Sequence, residues 1–567
     1  MPPALSLPPL SCGLPYFHGE AGISGKVMQV VGLPPSTTGQ VQMAAHETKN
    51  CTWKISGRCW KVRHRHMPLW GGAMMRRFTT MAAAGEAFTS LDKMAVGDDS
   101  GLKSFIWADR KRPRICVLGG GFGGLYTALR LDSLVWSPEN QPQVLLIDQS
   151  ERFVFKPLLY ELLTKEVDSW EIAPTFKELL LNTSIQFLRD TVKSVQPSNA
   201  VNGKPFLATS DRDVGGTVNL GSGTEVEYDW LVIALGAEPR LGIVPGATEN
   251  ALPFSTLEDA LEVDKRLLVL ETARKGSGVK PIEVVIVGSG YCGVELAATV
   301  AERLGNRGHV KVVDTAADIV PSAPAGNREA ALKVLASRNV ELILGFLVAN
   351  MRSADDIASP RKPGSKGVIL ELIQATRGPS RRKVDGPTLE ADLVLWTVGP
   401  QASLPPAETQ AGYQAFPLNV RGQADTDEML RVKGHPRIFA IGDSAGTKDD
   451  SGRLLPATAQ VAFQQADYAG WNLWAAINNR PLLPFRYQHL GEMMTLGTAD
   501  AAVSLGFVEG FTLDGLLGHS ARKLAYLYRL PTNDHKARVG LSWLAKSTIS
   551  SISFLQDSIN QFLTPSS

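Results

Sequence analysis

The sequence predicts an α/β protein of two doubly wound parallel-sheet modules with an amphipathic C-terminal tail. Two glycine fingerprints, and an acid closing the second strand of each module, carry that expectation. In the first module Ile115, Cys116, Val117 and Leu118 form an apolar run into Gly119-Gly-Gly121-Phe122-Gly-Gly124, and Leu125 to Leu131 continues at helical spacing. In the second, Glu283 to Val287 leads into Gly288-Ser-Gly290-Tyr-Cys-Gly293 and then Val294-Glu295-Leu-Ala-Ala. A buried strand, a glycine turn and a helix in that order put the positive helix N-terminus where a pyrophosphate can bind. The first glycine of each set allows the tight turn, the second the approach of the phosphates, and the third close helix-on-sheet packing. Val144 to Ile147 ends in Asp148 and Val310 to Val313 ends in Asp314, where a carboxylate can take ribose hydroxyls. These are two Rossmann-type dinucleotide-binding domains, and two bound dinucleotides imply electrons passing from one to the other.

The 567 residues suffice for two or three domains. A formal charge of +2 gives no signature for nucleic acid. None of the five cysteines, Cys12, Cys51, Cys59, Cys116 and Cys292, forms a C-x-x-C, and Cys116 and Cys292 read as core fillers. No run of eighteen apolar residues predicts a spanning helix. Residues 1–100 read as a transit peptide and leader: up to Gly85 the only acids are Glu20 and Glu47, against many Lys and Arg among Ser, Thr, Ala and Gly. A disordered extension with another role has the same composition.

Following the chain, Phe153 to Glu161 opens a helical stretch that could cover a flat ring, although packing on a sheet gives the same composition. Residues 184–228 alternate short strands with turns, as an inserted β-meander. Leu231 to Leu235 is a buried strand broken by Gly236, its end returning to the ligand crevice. Glu295, in the first turn of the second helix, is either a dipole-favoured cap or a nicotinamide-side carboxylate. Asp314 alone favours NADH, but Arg307 and Lys311 nearby leave the coenzyme open. Ala391 to Pro400 closes the second module through Gly399. Pro436 to Ser444 gives a last short strand turning at Gly442, with Asp443 placed to bond a ribityl or pyrophosphate group. Leu455 to Ala466 reads as a helix with Gln460 and Gln464 on one face.

The ordered set GGGFGG, YDWLVIALGAEP, GSGYCGVELA, LWTVGP, IFAIGDSA and AQVAFQQA resembles the type II NAD(P)H:quinone oxidoreductases, the alternative NAD(P)H dehydrogenases, and among them the plant C-type enzymes. The resemblance runs from about Arg114 to the C-terminus. It implies a glutathione-reductase-like arrangement with a split FAD domain: 111–280 its first part, 281–395 the NAD(P)H domain, 396–485 its second part with the quinone-site helix, and 486–567 a C-terminal membrane-surface region. By this resemblance Gly119, Gly121, Gly124, Asp148 and Asp443 hold FAD. Gly288, Gly290, Gly293 and Glu295 hold NAD(P)H, with Asp314 at its ribose. Phe122, Lys156, Gly236, Gly399 and Gly442 are further cofactor-binding positions, and Trp396 to Gly399 covers part of the nicotinamide route. Ala459 and Gln460, with the rest of their helix to Gln465, line the quinone pocket beside the isoalloxazine. Glu295 is expected to position the nicotinamide, and Gln460 and Gln464 to meet the quinone carbonyl.

Disulfide reductases share both fingerprints but need a cysteine pair at the flavin, which is missing. Ferredoxin-type reductases and apoptosis-inducing-factor-like flavoproteins lack the AQVAFQQ helix and the tail. In that tail, from Gly515 to Gln556, Asp534 is the only acid, against Arg522, Lys523, Arg529, Lys536, Arg538 and Lys546. Leu541, Leu544, Ile552, Leu555, Ile559 and Phe562 recur at helical spacing. Such helices suit an anionic lipid surface, or else burial at a dimer interface or against the body of the protein. No metal site and no calcium-binding loop is predicted. The expected activity is two-electron transfer from NAD(P)H through FAD to a membrane prenylquinone (plastoquinone, a phylloquinone-type naphthoquinone or ubiquinone) without proton pumping. The expected setting is the surface of a plastid thylakoid or plastoglobule, or of a mitochondrial membrane. A reductase of a protein acceptor such as ferredoxin, and a redox-sensing flavoprotein, are the alternatives.

Overall fold

Arg114–Leu118 (β1) is buried at every position, as a parallel strand covered on both faces must be. The computed structural model describes residues 103–198, 215–276, 280–354, 367–375, 384–406, 416–506, 508 and 510–546, with strands at Glu408–Thr409 and Gly412–Tyr413. The expected leader, and the tail positions from Ile552 to Phe562, lie outside the described residues. After β1 come the helix Phe122–Ser133 (α1) and the strands Gln143–Asp148 (β2), Gln186–Arg189 (β3) and Trp230–Ile233 (β4).

The second module comprises Leu252–Pro253 (β5), helix Leu257–Ala273 (α2), Ile282–Val287 (β6), helix Tyr291–Leu304 (α3), Gly308–Asp314 (β7), Glu341–Leu344 (β8) and Leu393–Trp396 (β9). Its strands pair in the order β5-β9-β6-β7-β8, all parallel. Only then does Ile438–Ala440 (β10) join the first sheet beside β4, completing the order β10-β4-β1-β2-β3, also all parallel. Both sheets have five parallel strands, and the chain leaves the first sheet, builds the second and returns. Because β5 pairs with β9, the second sheet reaches upstream of residue 281.

Two local expectations change. The strand at 186–189 belongs to the parallel sheet, and the antiparallel meander begins only at Val192–Pro197, continuing through Gly216–Leu220 and Thr224–Tyr228. Lys156–Leu162 is a 3-10 segment, closed by bonds such as Leu158 N to Phe155 O at 3.0 Å. Pro157 inside it has no N–H for a longer-range ladder.

Helix Ala459–Ile477 (α4) starts four residues later than the sequence pattern indicated, because Thr458 is the N-cap and its hydroxyl accepts from Val461 N at 3.3 Å. Phe463 of α4 meets Phe122 and Tyr126 of α1 with ring centroids 4.8 and 4.5 Å apart. Gly491–Thr495 (β11), Ala501–Leu505 (β12) and Thr512–Asp514 (β13) then form an antiparallel sheet against α3, followed by helix Gly515–Arg529 (α5) and a helical stretch at 533–546. Among the described residues no helix is long and apolar enough to cross a membrane.

The tail docks through buried charges together with Tyr526, Leu530 and Val539, which corrects the reading of its basic residues. Arg522 is wholly buried and pairs with the equally buried Glu161 at 2.7 Å. Lys523 pairs with Glu161 and, at 3.0 Å, with Glu166; Lys546 pairs with Asp168 and Glu171 at 2.9 and 3.0 Å. Leu516, Leu517, Leu524, Tyr528, Leu541 and Leu544 face solvent instead. Of the six basic residues, only Arg529, Lys536 and Arg538 stay near the outer face, over the rings of Tyr528 and Trp170.

Candidate active site

Both fingerprint turns have one geometry. Gly119 sits at φ +94° and Gly288 at +111°, a region that favours glycine. A Cβ on Gly124 would lie 1.8 Å from Gly119 O, and one on Gly293 1.8 Å from Gly288 O, so the helices rest directly on the turns. A Cβ on Gly121 or Gly290 would meet nothing within 4 Å. Those two positions open onto the ligand side of each sheet. Asp148 accepts from Gly120 N at 2.6 Å and Ser150 N at 2.7 Å; Asp314 accepts from Ser289 N at 2.5 Å and Ala316 N at 2.8 Å. Each strand-end acid is thereby fixed to its own turn.

At the carboxyl ends of the first sheet lies a cavity of about 430 Å³, lined by Gly119, Asp148, Thr191, Leu235 and Arg240 among others. Beside it, Gly442–Ser444 forms a 3-10 turn. Burial pushes the carboxyls of both Asp148 and Asp443 up from the ordinary range, and the Lys156 ammonium draws both back down. Three residues singled out separately in the sequence thus share one electrostatic site. Gly236 belongs to it too, since its N–H donates to Ser444 Oγ at 3.0 Å. The open face of Gly121, the cavity and the buried carboxylates fit a dinucleotide with hydroxyl groups at its ribose and ribityl chain.

Sequence reasoning placed Gln465 in the quinone-pocket helix but missed its tie to the Asp443 turn. Its Oε1 accepts from Gly442 N at 2.6 Å and its Nε2 donates to Thr447 Oγ1 at 2.9 Å, so this buried amide ties α4 to the Asp443 turn. The only signal was a third glutamine in AQVAFQQA, off the face of the other two. Gln460 and Gln464 have their amides engaged: Gln460 Nε2 donates to Gly491 O at 3.0 Å, its Oε1 accepts from Tyr487 Oη at 2.5 Å, and Gln464 exchanges two bonds with the backbone of Gln488. Either must trade one of these bonds before it can meet a quinone carbonyl. Ala459 stands at the first position of the same helix.

In the second module Arg307 pairs with Glu271 and Lys311 with Glu283, each about 3 Å away. Both cations that might have offset the charge of Asp314 have acids of their own. Trp396 is only 2% exposed and packs in the sheet core, while Thr397, whose hydroxyl donates to Val287 O at 2.8 Å, and Gly399 follow it at the end of β9.

Glu295 lies buried on α3, where its Oε1 accepts from Thr495 N at 2.8 Å. Burial pushes its carboxyl up to about 7, against the opposing pull of the Thr495 N–H, Arg522 and Tyr160. The unfolded chain loses this proton near 4.5 and the folded chain near 7, so the group's contribution to stability falls as pH rises between those values and is level above them. Glu295→Gln is therefore expected to flatten the pH dependence of stability by about 3 kcal/mol. Denaturant unfolding of both proteins at pH 5 and pH 8 checks this; parallel pH dependences would show that the carboxylate is compensated in the fold.

A profile of the pyridine nucleotide-disulphide oxidoreductase family matches residues 113–466. Alternative NAD(P)H-ubiquinone oxidoreductase C1, chloroplastic/mitochondrial, of Arabidopsis thaliana is 57% identical over 82% of this chain and 86% of its own. The chain belongs to the type II NAD(P)H:quinone oxidoreductases. Demethylphylloquinone reductase NdbB of Synechocystis is 42% identical over 77% of this chain and 96% of its own. In fold, the NDH2 of Plasmodium falciparum solved with NADH superposes with a TM-score of 0.58 at 16% identity, covering 77% of this chain and 98% of that one.

As a type II oxidoreductase the chain takes FAD and NAD(P)H as cofactors and has the glutathione-reductase-like fold. It departs from the disulfide reductases at the thiols. Cys116 is buried inside β1, and burial pushes the Cys292 thiol up to about 11; both are free. Among the described residues no group of side chains is arranged to hold a metal.

Proposed function

We propose that the first module, with Gly121, Asp148, Lys156 and Asp443, holds FAD, that the second, with Gly290, Asp314 and Glu295, holds NAD(P)H, and that α4 borders the site of a membrane-dissolved prenylquinone. The chain is an FAD-dependent NAD(P)H:quinone oxidoreductase. When bound, FAD supplies an acceptor for the hydride and a donor of two electrons to the quinone. The chain's own work is to orient both substrates and keep water away. One observation carries the quinone side: Gln465 joins α4 to the Asp443 turn, so the helix bearing Gln460 and Gln464 is held rigidly to the flavin-binding turn. The outward leucines of α5 and of the 533–546 stretch favour docking on a lipid surface, where such a quinone dissolves. A plastid or mitochondrial membrane is the proposed setting, following the chloroplastic/mitochondrial relative.

The test is steady-state oxidation of NADH and NADPH by protein lacking its first 100 residues, with liposomes carrying a prenylquinone, and ferredoxin as the competing acceptor. The combined change Leu516→Asp, Leu517→Asp and Leu524→Asp is expected to lower turnover with liposome-borne quinone about tenfold, the loss of apolar burial disfavouring docking. Turnover with a water-soluble quinone should be retained. Equal turnover on liposomes would sink the lipid-facing assignment, and turnover with ferredoxin alone would sink the quinone reading.

A further inference from the structure

Quinone reduction leaves one proton unaccounted for. NAD(P)H gives up a hydride, which is two electrons and one proton, whereas a quinone becomes a quinol by taking two electrons and two protons. One proton per turnover must come from water, and it must reach an oxygen in a site from which water is kept away.

Resting on the quinone site proposed beside α4, the geometry points to His489 and Tyr487 as the inlet for that proton. Tyr487 Oη donates to Gln460 Oε1 at 2.5 Å, on the helix assigned to the quinone. Behind it, His489 Nδ1 lies 3.4 Å from the same hydroxyl. The imidazole side chain is 46% exposed, so it stands between bulk water and the Tyr487 hydroxyl. Solvent, imidazole, phenol and quinone helix lie in sequence. Half-burial pushes the Tyr487 hydroxyl up from its usual range, which keeps it protonated as a donor.

The transfer balances. As the reduced quinone oxygen forms its O–H bond, the Tyr487 O–H bond breaks; Tyr487 takes the Nδ1 proton of His489, and the imidazole recovers one from water. No other oxidant or reductant takes part. The charged and titratable groups facing the imidazole are Tyr487 and Glu492 of its own segment, Glu492 Oε1 being 4.0 Å from Nε2. From α3, Tyr291 reaches this set only through Glu492, to which its hydroxyl donates; from α4, Gln460 reaches it through Tyr487.

Glu492 offers a readout that a structural role would not move. Glu492→Gln removes the carboxylate whose Oε1 lies 4.0 Å from His489 Nε2 while keeping an acceptor for Tyr291. In that variant the alkaline fall of kcat with quinone should move together with the His489 titration followed by NMR, its signal identified by its loss in His489→Gln. In His489→Gln and Tyr487→Phe, flavin reoxidation by quinone in stopped flow should slow on the order of tenfold or more, relative to flavin bleaching by NADH in the same variant. Added imidazole should partly restore the His489→Gln rate.

Reoxidation at the unaltered rate in both variants, or a kcat profile that stays in place while the NMR titration moves, would overturn the inlet and leave the quinone assignment standing. Unaltered enzyme that reduces ferricyanide but no quinone would overturn that assignment, and the inlet with it.

Discussion

Gly121→Val is expected to yield a folded protein that retains no flavin. The two requirements on a fingerprint glycine separate cleanly here. At Gly124 a Cβ would sit 1.8 Å from Gly119 O, so any side chain pushes α1 off the turn. At Gly121 a Cβ meets no protein atom within 4 Å, and the backbone is extended at φ −73° and ψ −161°, which valine adopts readily. The folded chain has room for the valine, but the pyrophosphate does not, since the isopropyl group occupies its approach to the N-terminus of α1. The measurement is the ratio of flavin absorbance to protein after gel filtration, with unfolding followed by circular dichroism. Stoichiometric FAD in Gly121→Val would remove the first module from the flavin site, whereas loss of both flavin and fold would show that Gly121 is needed for packing after all. Gly290→Val, the counterpart in the second module, should keep its flavin and lose NAD(P)H saturation.

The second large effect is expected at Arg522. Its guanidinium is buried and its ion pair with Glu161 spans 2.7 Å, so Arg522→Ala leaves a buried carboxylate with Lys523 as its remaining cation. Breaking a buried pair by removing one partner costs about 3–5 kcal/mol. The cost falls on the docking of α5, where the ion pairs of Arg522 and Lys523 act beside the packing of Tyr526 and Leu527 against the core. Limited proteolysis after Lys523 and Arg529 should accelerate, and turnover with liposome-borne quinone should fall with it. The double change Arg522→Met with Glu161→Met should recover most of the stability, since apolar residues of similar volume replace a buried pair at little net cost. The Nε and Nη1 groups of Arg522 have no hydrogen-bond partner among the described residues, which lowers what the pair itself is worth. Proteolysis unchanged in Arg522→Ala would mean that the tail is held elsewhere, by Lys546 and His535 on Glu171.

Much of the site was legible because its chemistry is local. Asp148 and Asp314 stand at strand ends, and the hydrogen bonds that fix them come from Gly120 and Ser289 in the adjoining turns. Asp443 was legible only by its place after a glycine, and Lys156 only through resemblance; neither shows in the sequence that it shares a field with Asp148. Gln460 and Gln464 were read correctly as one helix face, but what covers that face is the segment from Tyr487 to Gly491, whose pairing with them no periodicity reveals. The bond from Gln465 to the Asp443 turn was not legible because a buried amide and a surface one look alike in a helix pattern.

From sequence alone came the two strand–turn–helix modules, the acids at their strand ends and so the two dinucleotides, because these depend on backbone sterics and on residues a few positions apart. Tertiary structure alone decided which side of the tail faces in. Its amphipathic pattern divides α5 into two faces, but the acid that draws the charged face inward, Glu161, lies 362 positions before Lys523. Charge pairs at such separation leave no local trace, and a helix whose buried side is ionic reverses the usual inference from apolar spacing. The return of β10 to the first sheet, expected only through the family resemblance, rests on strand pairing across the whole second module.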